Sequence, residues 1–327
     1  MKAIVCDRYG PPDVLRLEEV DRPVPRDDQV LVKVLASSLN AADFELLGGS
    51  LFARIGGPFR PGNRIPGTDV AGRVAAVGSN IERLKEGDAV FGDLFYCGAG
   101  AFAEYVAAPE EALMLKPDSI SFEDAATLNQ AAKIALQGLR GRRPLEKGQK
   151  VLINGAGGGM GTFAVQIAKF YGAEVTGVDR SSKLGMLRAI GADQIIDYAR
   201  EDCTKGGVRY DLILDAVARR SIFDYRRVMA PDGLYVLLGG SRYALFQAIL
   251  LGPLVSAASR KKMGTNPWKV NNEEDLRFLL ELHGKGKLSP VIDRRCTLSE
   301  VPEALRDLSK GLVNGKVVIT VGQDDNI

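Results

Sequence analysis

Short apolar runs, separated by glycine and proline, fill the first 120 residues of the chain. The clearest are residues 30–34, 71–78 and 88–92, which are rich in valine and alanine and about as long as β-strands. Glycine and proline between such runs are typical of turns. The pattern therefore predicts a β-rich, barrel-like module in this part of the chain.

The pattern changes at Ser121. A serine followed by Glu123 and Asp124 is typical of a helix start, because the hydroxyl caps free N–H groups and the acids favour the positive end of the helix dipole. The alanine-rich residues 125–139 continue as a predicted helix. We therefore place the end of the first domain near residue 122.

Predicted strands and helices alternate beyond residue 122, which is typical of a parallel, doubly wound sheet. After about residue 287 the alternation stops, and we expect the last segments to return to the first domain. The predicted strands are 151–154, 174–178, 194–197, 210–215, 233–238 and 317–321, and the predicted helices include 160–171, 182–190 and a capped helix near 299–308.

Residues 243–258 form the most apolar segment, but Gly252 and Pro253 interrupt it. It is shorter than the ~20 residues that span a bilayer, so it predicts a buried or lid-forming helix pair and no membrane span. The chain begins with the strand-like sequence MKAIVC and not with a basic and then apolar signal peptide. We therefore expect a cytoplasmic protein.

Composition sets further limits. The 327 residues exceed one typical core and favour two domains, and 46% hydrophobic with 26% charged residues is ordinary globular composition. The formal net charge is only +2, whereas a nucleic-acid-binding protein is expected to carry a marked excess of positive charge. No CxxC pair occurs, so we expect reduced, structural cysteines at positions 6, 97, 203 and 296.

Residues 151–171 combine an apolar strand, a glycine-rich turn and an amphipathic helix. Glycines let the backbone approach a pyrophosphate, while the helix N–H groups and dipole stabilise its charge. The spacing is GxxGxxG and not GxGxxG, so the strand before and the helix after carry the prediction of a nicotinamide dinucleotide site. The predicted contacts are Gly155, Ala156, Gly157, Gly158, Gly159, Met160 and Gly161.

The end of the second predicted strand bears on which dinucleotide binds. Asp179 favours NADH, because a carboxylate there accepts hydrogen bonds from the adenosine ribose and repels a 2′-phosphate. The loop that follows favours NADPH if Asp179 turns away, because its cations and hydroxyls can hold a phosphate. The residues of that loop are Arg180, Ser181, Ser182 and Lys183.

Seven groups of residues along nearly the whole chain carry a more specific signal. They are SSLNAAD at 37–43, PGTDVAG at 66–72, GAFAEY at 100–105, the glycine turn at 151–168, GAD with IDY within 191–198, LGG at 238–240 and GKVV at 315–318. With these residues the chain resembles the zinc-less medium-chain dehydrogenases/reductases, specifically their quinone oxidoreductase-like branch.

The resemblance implies a GroES-like catalytic domain built from both chain ends around an inserted Rossmann domain, with the active site in the cleft between them. We expect residues 1–122 and 288–327 to form the catalytic domain and residues 123–287 the Rossmann domain. The family's use of NADPH also places NADPH ahead of NADH. A homodimer through the Rossmann sheet is a further possibility that the family suggests.

Zinc-dependent relatives bind their catalytic metal through a cysteine, a histidine and a second cysteine. Asn40 stands at the first of these positions and Thr68 at the second, and residues 129–132 contain no cysteine for the third. The single histidine, His283, lies near the end of a predicted helix and is expected to be exposed or capping. We expect no metal site. Alcohol dehydrogenation is disfavoured, because no Lewis acid would lower the pKa of an alcohol.

What remains is hydride transfer to a small electrophilic acceptor, a quinone or an α,β-unsaturated carbonyl compound, with the protein supplying orientation and hydrogen bonds. By the family's pattern Asn40 and Asp43 are the candidate catalytic residues, and Asn40 is the candidate donor to the acceptor oxygen. No catalytic acid identifies itself, which leaves solvent as the source of the proton. The acceptor pocket is expected from segments such as 47–65 and 243–263.

The resemblance also implies cofactor contacts outside the glycine turn. Thr127 and Asn129 are candidates for the nicotinamide amide, although residues 128–130 depart from the small apolar residues expected there. The others are Tyr198, Asp215, Ala216, Val217, Leu238, Gly239, Gly240, Gly315, Lys316 and Val317. Two other functions stay open, a low-turnover NADPH-binding redox sensor or structural protein and an enoyl reductase for carrier-bound acyl chains.

Overall fold

A computed structural model describes residues 1–141, 143–265 and 268–324, apart from the side chain of Phe52. The chain divides into two compact units. The first unit contains Met1–Gln130, Val270–Phe278 and Pro290–Ile327, and the second contains Ala131–Lys269 and Leu279–Ser289. The first division thus falls after Gln130, eight residues beyond the expected boundary, and residues 270–278 group with the first unit.

The first 130 residues contain more strands than α-helices. They form β1 (Lys2–Val5), β2 (Arg16–Glu19), β3 (Gln29–Ser38), α1 (Ala41–Leu47), α2 (Leu51–Gly56), β4 (Asp69–Val77), β5 (Ala89–Asp93), β6 (Tyr105–Pro109), β7 (Leu113–Leu115) and α3 (Phe122–Thr127). Ser121 caps α3 as predicted, because its hydroxyl accepts a hydrogen bond from the Asp124 N–H.

Strands and helices alternate in the middle of the chain, and mixed elements follow. They are α4 (Lys133–Arg140), β8 (Lys150–Asn154), α5 (Gly159–Phe170), β9 (Glu174–Asp179), α6 (Leu184–Ala189), β10 (Gln194–Asp197), β11 (Tyr210–Asp215), α7 (Ile222–Val228), β12 (Met229–Leu237), α8 (Arg242–Ala258), β13 (Lys262–Thr265), α9 (Glu273–Gly284), β14 (Ile292–Cys296), α10 (Val301–Ser309) and β15 (Lys316–Thr320).

The first unit contains a seven-stranded sheet in the order β14-β15-β3-β4-β5-β7, with β6 also paired to β3. Alternate valines of β3, Val30, Val32 and Val34, are buried in one apolar cluster with Val70 and Val90 of the neighbouring strands. The last strand, β15, lies between β14 and β3 in this sheet. Residues from both ends of the chain therefore build one layer.

The second unit contains a six-stranded, wholly parallel sheet in the order β10-β9-β8-β11-β12-β13. The doubly wound parallel sheet that the alternation predicts is confirmed. Strand β13 was not predicted, because its sequence KMGT carries little apolar or β-branched character. In the described residues no helix combines the length and the apolarity needed to cross a bilayer.

Residues 242–258 form one continuous helix, α8, so the predicted helix pair was wrong. Pro253 lies inside it and removes one backbone hydrogen bond. Gly252 offsets this cost, since a Cβ there would lie 2.8 Å from the Met263 carbonyl oxygen of β13. The helix therefore packs directly on the sheet at the point where its sequence suggested a break.

Candidate active site

The glycine turn connects β8 to α5. Gly155 has φ +83°, a left-handed conformation that favours glycine. A Cβ on Gly161 would lie 2.2 Å from the Gly155 carbonyl oxygen, so glycine lets α5 pack directly on the turn. Gly158 is the N-cap of α5, whose first N–H groups have no partner within the helix. These N–H groups and the helix dipole fit an anionic pyrophosphate.

Asp179 turns toward the glycine turn. Its Oδ2 accepts a hydrogen bond from the Gly157 N–H at 2.8 Å, and its Oδ1 accepts one from the Arg180 N–H at 2.8 Å. Lys183 Nζ lies 3.9 Å from Asp179 Oδ1 and 3.4 Å from the Gly157 carbonyl oxygen, and both side chains are buried. Asp179 was predicted to bind a ribose and Lys183 a phosphate, but in the structure both side chains contact the glycine turn itself.

The accessible part of this loop consists of other residues. Ser181 is exposed and Arg180 is partly exposed. Tyr198 is 52% exposed, and its backbone N–H donates a hydrogen bond to the Asp179 carbonyl oxygen at 3.2 Å. The structure therefore brings an arginine, a hydroxyl and an aromatic ring to the carboxyl end of β9, where an adenosine would lie in a Rossmann fold.

Asp215 ends β11 and is fully buried. It accepts hydrogen bonds from Asn154 Nδ2 at 2.7 Å and from the Tyr235 hydroxyl at 3.0 Å. Burial raises the pKa of Asp215, and these hydrogen bonds oppose the rise. Its side chain therefore joins the ends of β8 and β11 inside the core, directly before the glycine turn.

The two predicted segments after β11 and β12 lie side by side. The Asp215 carbonyl oxygen accepts hydrogen bonds from the N–H groups of Leu238 and Gly239, and the Ala218 N–H donates to Gly239. Gly240 has φ +130°. Val217 is 45% exposed, and Ala216, Leu238 and Gly239 are partly exposed. These residues lie at the carboxyl edge of the sheet, where open parallel sheets bind ligands.

Asn40 lies at the centre of a buried polar network in the first unit. Its Nδ2 donates to Asp69 Oδ2 at 2.7 Å and to Thr68 Oγ1 at 3.2 Å, and its Oδ1 accepts from Lys316 Nζ at 2.6 Å. Every polar atom of the side-chain amide is thus engaged. A role for Asn40 as donor to a substrate oxygen requires exchange of one bond, and the bond to Thr68 is the longer.

Lys316, expected at the cofactor, supplies the cation of this network and is 1% exposed. Its ammonium also donates to the Leu39 carbonyl oxygen at 2.8 Å and lies 3.5 Å from Asp69 Oδ2. Burial lowers the pKa of Lys316, while Asp69 and Asp43 act in the opposite direction. Gly315, with φ +76°, and Val317, whose carbonyl oxygen accepts from the Leu39 N–H, flank it.

Asp43 lies in the first turn of α1 and is 1% exposed. Its Oδ2 accepts a hydrogen bond from the Asn40 N–H at 2.8 Å. Burial raises the pKa of Asp43 to about 7, the Asn40 N–H and the Lys316 ammonium oppose the rise, and the Asp69 carboxylate adds to it. The structure therefore places the two predicted catalytic residues side by side in one network.

A pocket of about 690 Å³ opens beside this network within the first unit, and Asp43 is among its lining residues. Aromatic Tyr9 and Tyr96 and apolar Leu46 also line it. The Tyr9 hydroxyl donates to the Ala53 and Gly57 carbonyl oxygens and so fixes α2 as one wall. The expected pocket segment 47–65 contributes residues, whereas the expected segment 243–263 belongs to the second unit.

Thr127 and Asn129 lie where α3 passes into a π-helical turn, Leu128–Ala132. The Thr127 hydroxyl is buried and donates to the Asp124 carbonyl oxygen at 2.8 Å. The Asn129 side chain is 1% exposed, and neither of its polar atoms has a hydrogen-bond partner among the described residues. The Thr127 hydroxyl is thus hydrogen-bonded within its own helix, whereas the Asn129 amide is available to a ligand or a water molecule.

Sequence reasoning missed Asp69 as a site residue. It is fully buried and accepts from Ser38 Oγ at 2.6 Å, Asn40 Nδ2 at 2.7 Å and the Gln130 N–H at 3.3 Å. The signal was present, because Asp69 stands inside the motif PGTDVAG at 66–72. An acid between apolar residues at the start of a buried strand needs partners, which nearby Thr68 and Asn40 suggested.

Asn40 and Thr68, which the family resemblance places at metal-ligand positions, are hydrogen-bonded to each other. In residues 1–141, 143–265 and 268–324 no group of three or more histidine, cysteine, aspartate or glutamate side chains is arranged to hold a metal. His283 Nδ1 lies 3.1 Å from the Leu288 carbonyl oxygen, close to the end of α9.

Comparison with known proteins agrees with the two-domain architecture. Residues 26–118 match the family described as alcohol dehydrogenase GroES-like domain, and residues 190–319 match that described as zinc-binding dehydrogenase. The chain thus has the two domains of a dehydrogenase or reductase.

Two relatives align over 98% of this chain and 79% of their own length: 2-methylene-furan-3-one reductase of Solanum lycopersicum, 34% identical, and a chloroplastic NADPH-dependent alkenal/one oxidoreductase of Arabidopsis thaliana, 33% identical. The solved quinone oxidoreductase of Coxiella burnetii has a TM-score of 0.88 and 31% identity, covering 98% of this chain and 99% of that one. This chain belongs to the medium-chain dehydrogenase/reductase family, in its quinone oxidoreductase-like branch.

Replacement of Lys316 by Met tests the buried network. The change leaves Asp69 buried without its cation, so we expect Lys316→Met to lower the free energy of unfolding by about 3–5 kcal/mol in denaturant titrations. The double variant Lys316→Met with Asp69→Asn should recover part of the loss, because both charges are then absent. Lys310→Met, an exposed lysine, is the matched control and should stay within about 0.5 kcal/mol. A loss no larger than that of the control contradicts the network's role.

Proposed function

We propose that this oxidoreductase uses NADPH, without zinc, to transfer a hydride to a quinone or an α,β-unsaturated carbonyl compound. The observation that carries the proposal is the Asn40 network, which fills the metal-ligand positions with an amide and a hydroxyl beside a pocket. Neither group is a good zinc ligand. Without a Lewis acid the acceptor must already be electrophilic.

The names of the relatives support this acceptor class. One is called a 2-methylene-furan-3-one reductase and another an alkenal/one oxidoreductase, both of which name an unsaturated carbonyl compound. Tyr9, Tyr96 and Leu46 give the pocket an aromatic and apolar lining that suits such compounds and quinones. The pocket is also near the size of known small-molecule sites.

NADPH fits the second unit on the residues present. When bound, it supplies the hydride. The glycine turn and the N-terminus of α5 would hold its pyrophosphate, and Arg180 with Ser181 would hold its 2′-phosphate. Asp179 is compatible with this assignment, because its two carboxylate oxygens are engaged by the Gly157 and Arg180 N–H groups. The name of the NADPH-dependent relative points in the same direction.

The proposal is tested by following NADPH oxidation at 340 nm with a panel of quinones, enones, alcohols and acyl thioesters, together with metal analysis of the purified protein. We expect turnover with quinones or enones in metal-free protein. Cofactor binding without turnover favours a redox sensor or structural protein, and a marked preference for carrier-bound acyl thioesters favours an enoyl reductase. Stoichiometric zinc, or alcohol oxidation as the best activity, contradicts the proposal.

Arg180→Ala tests the choice of dinucleotide. Loss of a charge-assisted contact to the 2′-phosphate is expected to raise KM for NADPH about 10-fold and to leave KM for NADH nearly unchanged. Arg188→Ala, an exposed arginine on α6, is the matched control for the loss of a surface charge. Equal changes in both KM values after Arg180→Ala would place the 2′-phosphate elsewhere.

We also propose a cytoplasmic homodimer that pairs through β13. This strand lies at the end of the sheet order, and α8 exposes Tyr243, Phe246 and Ile249 by 53–64%. Edge strands and large exposed apolar patches are typical of interfaces. Light scattering should give twice the 35.2-kDa mass, and Phe246→Glu with Ile249→Glu should halve it, whereas Val24→Glu should not. A 35.2-kDa wild-type species contradicts the dimer.

A further inference from the structure

Asp43 occupies an unusual position for a carboxyl group. It is 1% exposed, yet it lines the pocket in which the proposed function places the acceptor. Its Oδ2 is held by the Asn40 N–H at 2.8 Å. Its Oδ1 makes no hydrogen bond of normal geometry, although the Thr68 hydroxyl is close enough to influence the group. One oxygen is thus fixed and the other has no fixed partner.

The charges around Asp43 decide which carboxyl of the network holds a proton. Asp69 accepts three hydrogen bonds, from Ser38, Asn40 and Gln130, and lies 3.5 Å from the Lys316 ammonium. Asp43 accepts one, from the Asn40 N–H. The Lys316 ammonium is therefore paired with Asp69, and a second buried anion beside them would be poorly stabilised.

The arginines of α2 and α10, two helices packed against α1, are engaged by other groups. Arg54 of α2 donates to the Gly49 and Pro58 carbonyl oxygens, and Arg306 of α10 pairs with Asp13. Glu303 and Asp307 of α10 are acids, and Asp307 pairs with Arg294. Burial and these contacts therefore favour the protonated form of Asp43 at the pocket wall.

Resting on the proposed function, we infer that Asp43 is the proton donor that completes the reduction of an α,β-unsaturated carbonyl compound. Hydride addition to the β-carbon moves the double-bond electrons to the carbonyl oxygen and gives an enolate. The enolate α-carbon then forms a C–H bond with the proton of Asp43, and the electron pair of the broken O–H bond stays on the carboxylate. A proton from water restores Asp43, so each turnover consumes one hydride and one proton.

The pH dependence follows from the burial of Asp43, which raises its pKa to about 7. The protonated form is the donor, so enone turnover should be constant at lower pH and fall as pH rises through about 7. The raised pKa of Asp43 also makes the free energy of unfolding depend on pH. The unfolded carboxyl loses its proton at about pH 4, so the contribution of Asp43 to stability falls as pH rises from about 4 to 7, and Asp43→Asn should lack this contribution.

The decisive experiment reduces an α-methyl enone with NADPH in D2O and measures the configuration of the deuterated α-carbon. A donor fixed on one side of the pocket gives one configuration, whereas protonation of a released enolate by solvent gives both. Asp43→Asn keeps the shape of the side chain and an acceptor for the Asn40 N–H. We expect it to slow enone turnover about 100-fold, more than quinone turnover, to remove the fall near pH 7 and to give a racemic α-carbon.

Glu45→Gln, an exposed acid two residues along α1, is the matched control and should keep the wild-type configuration and pH profile. The inference is overturned if Asp43→Asn still gives one configuration, if the wild-type product is racemic, or if the wild-type protein reduces quinones and no enone. In these cases the proposed function survives. Wild-type protein that oxidises NADPH with neither acceptor overturns both.

Discussion

The buried ammonium of Lys316 is the constraint on which the first unit depends. A cation that is 1% exposed is tolerated only where acceptors surround it, and Leu39, Asn40 and Asp69 provide them. The lysine comes from the last strand of the chain, and its acceptors come from the turn after β3 and the start of β4. The network therefore forms only when both ends of the chain have entered the same sheet, which links the completeness of the fold to the shape of the pocket.

The second unit also contains a pair of buried, oppositely charged side chains. Asp179 and Lys183 are both buried, and each lies against the backbone of Gly157. A Cβ at Gly157 would meet the Lys183 side chain at 2.6 Å, so glycine at this position leaves room for the buried lysine. Asp179 and Lys183, predicted from the sequence to contact the cofactor, thus bond to the backbone of the glycine turn.

Much of this could be predicted from the sequence, and the failures have physical causes. The strand at 210–215 and the glycine turn were predicted well, since apolar periodicity and turn residues act locally. The continuity of α8 through Pro253 was not, because it depends on close packing against β13, a strand with little pattern of its own. The π-helical turn at Leu128–Ala132 was missed for a related reason, as nothing in an alanine-rich helix marks one extra residue in a turn.

The site shows the same division between local and distant information. Asn40 and Asp43 stand three residues apart, so a motif could point to both. Lys316 and Asp69 are far apart in sequence, and only the sheet brings their charges within 3.5 Å. Charge pairing over such distances also affects protonation, because burial raises the pKa of Asp43 while the Lys316 ammonium lies against Asp69. Asp69 accepts three hydrogen bonds and lies beside the cation, whereas Asp43 accepts one, and this difference favours the protonated form of Asp43. The hydrogen bonds of Asn40 thus contribute to the acid–base character that we propose for the pocket.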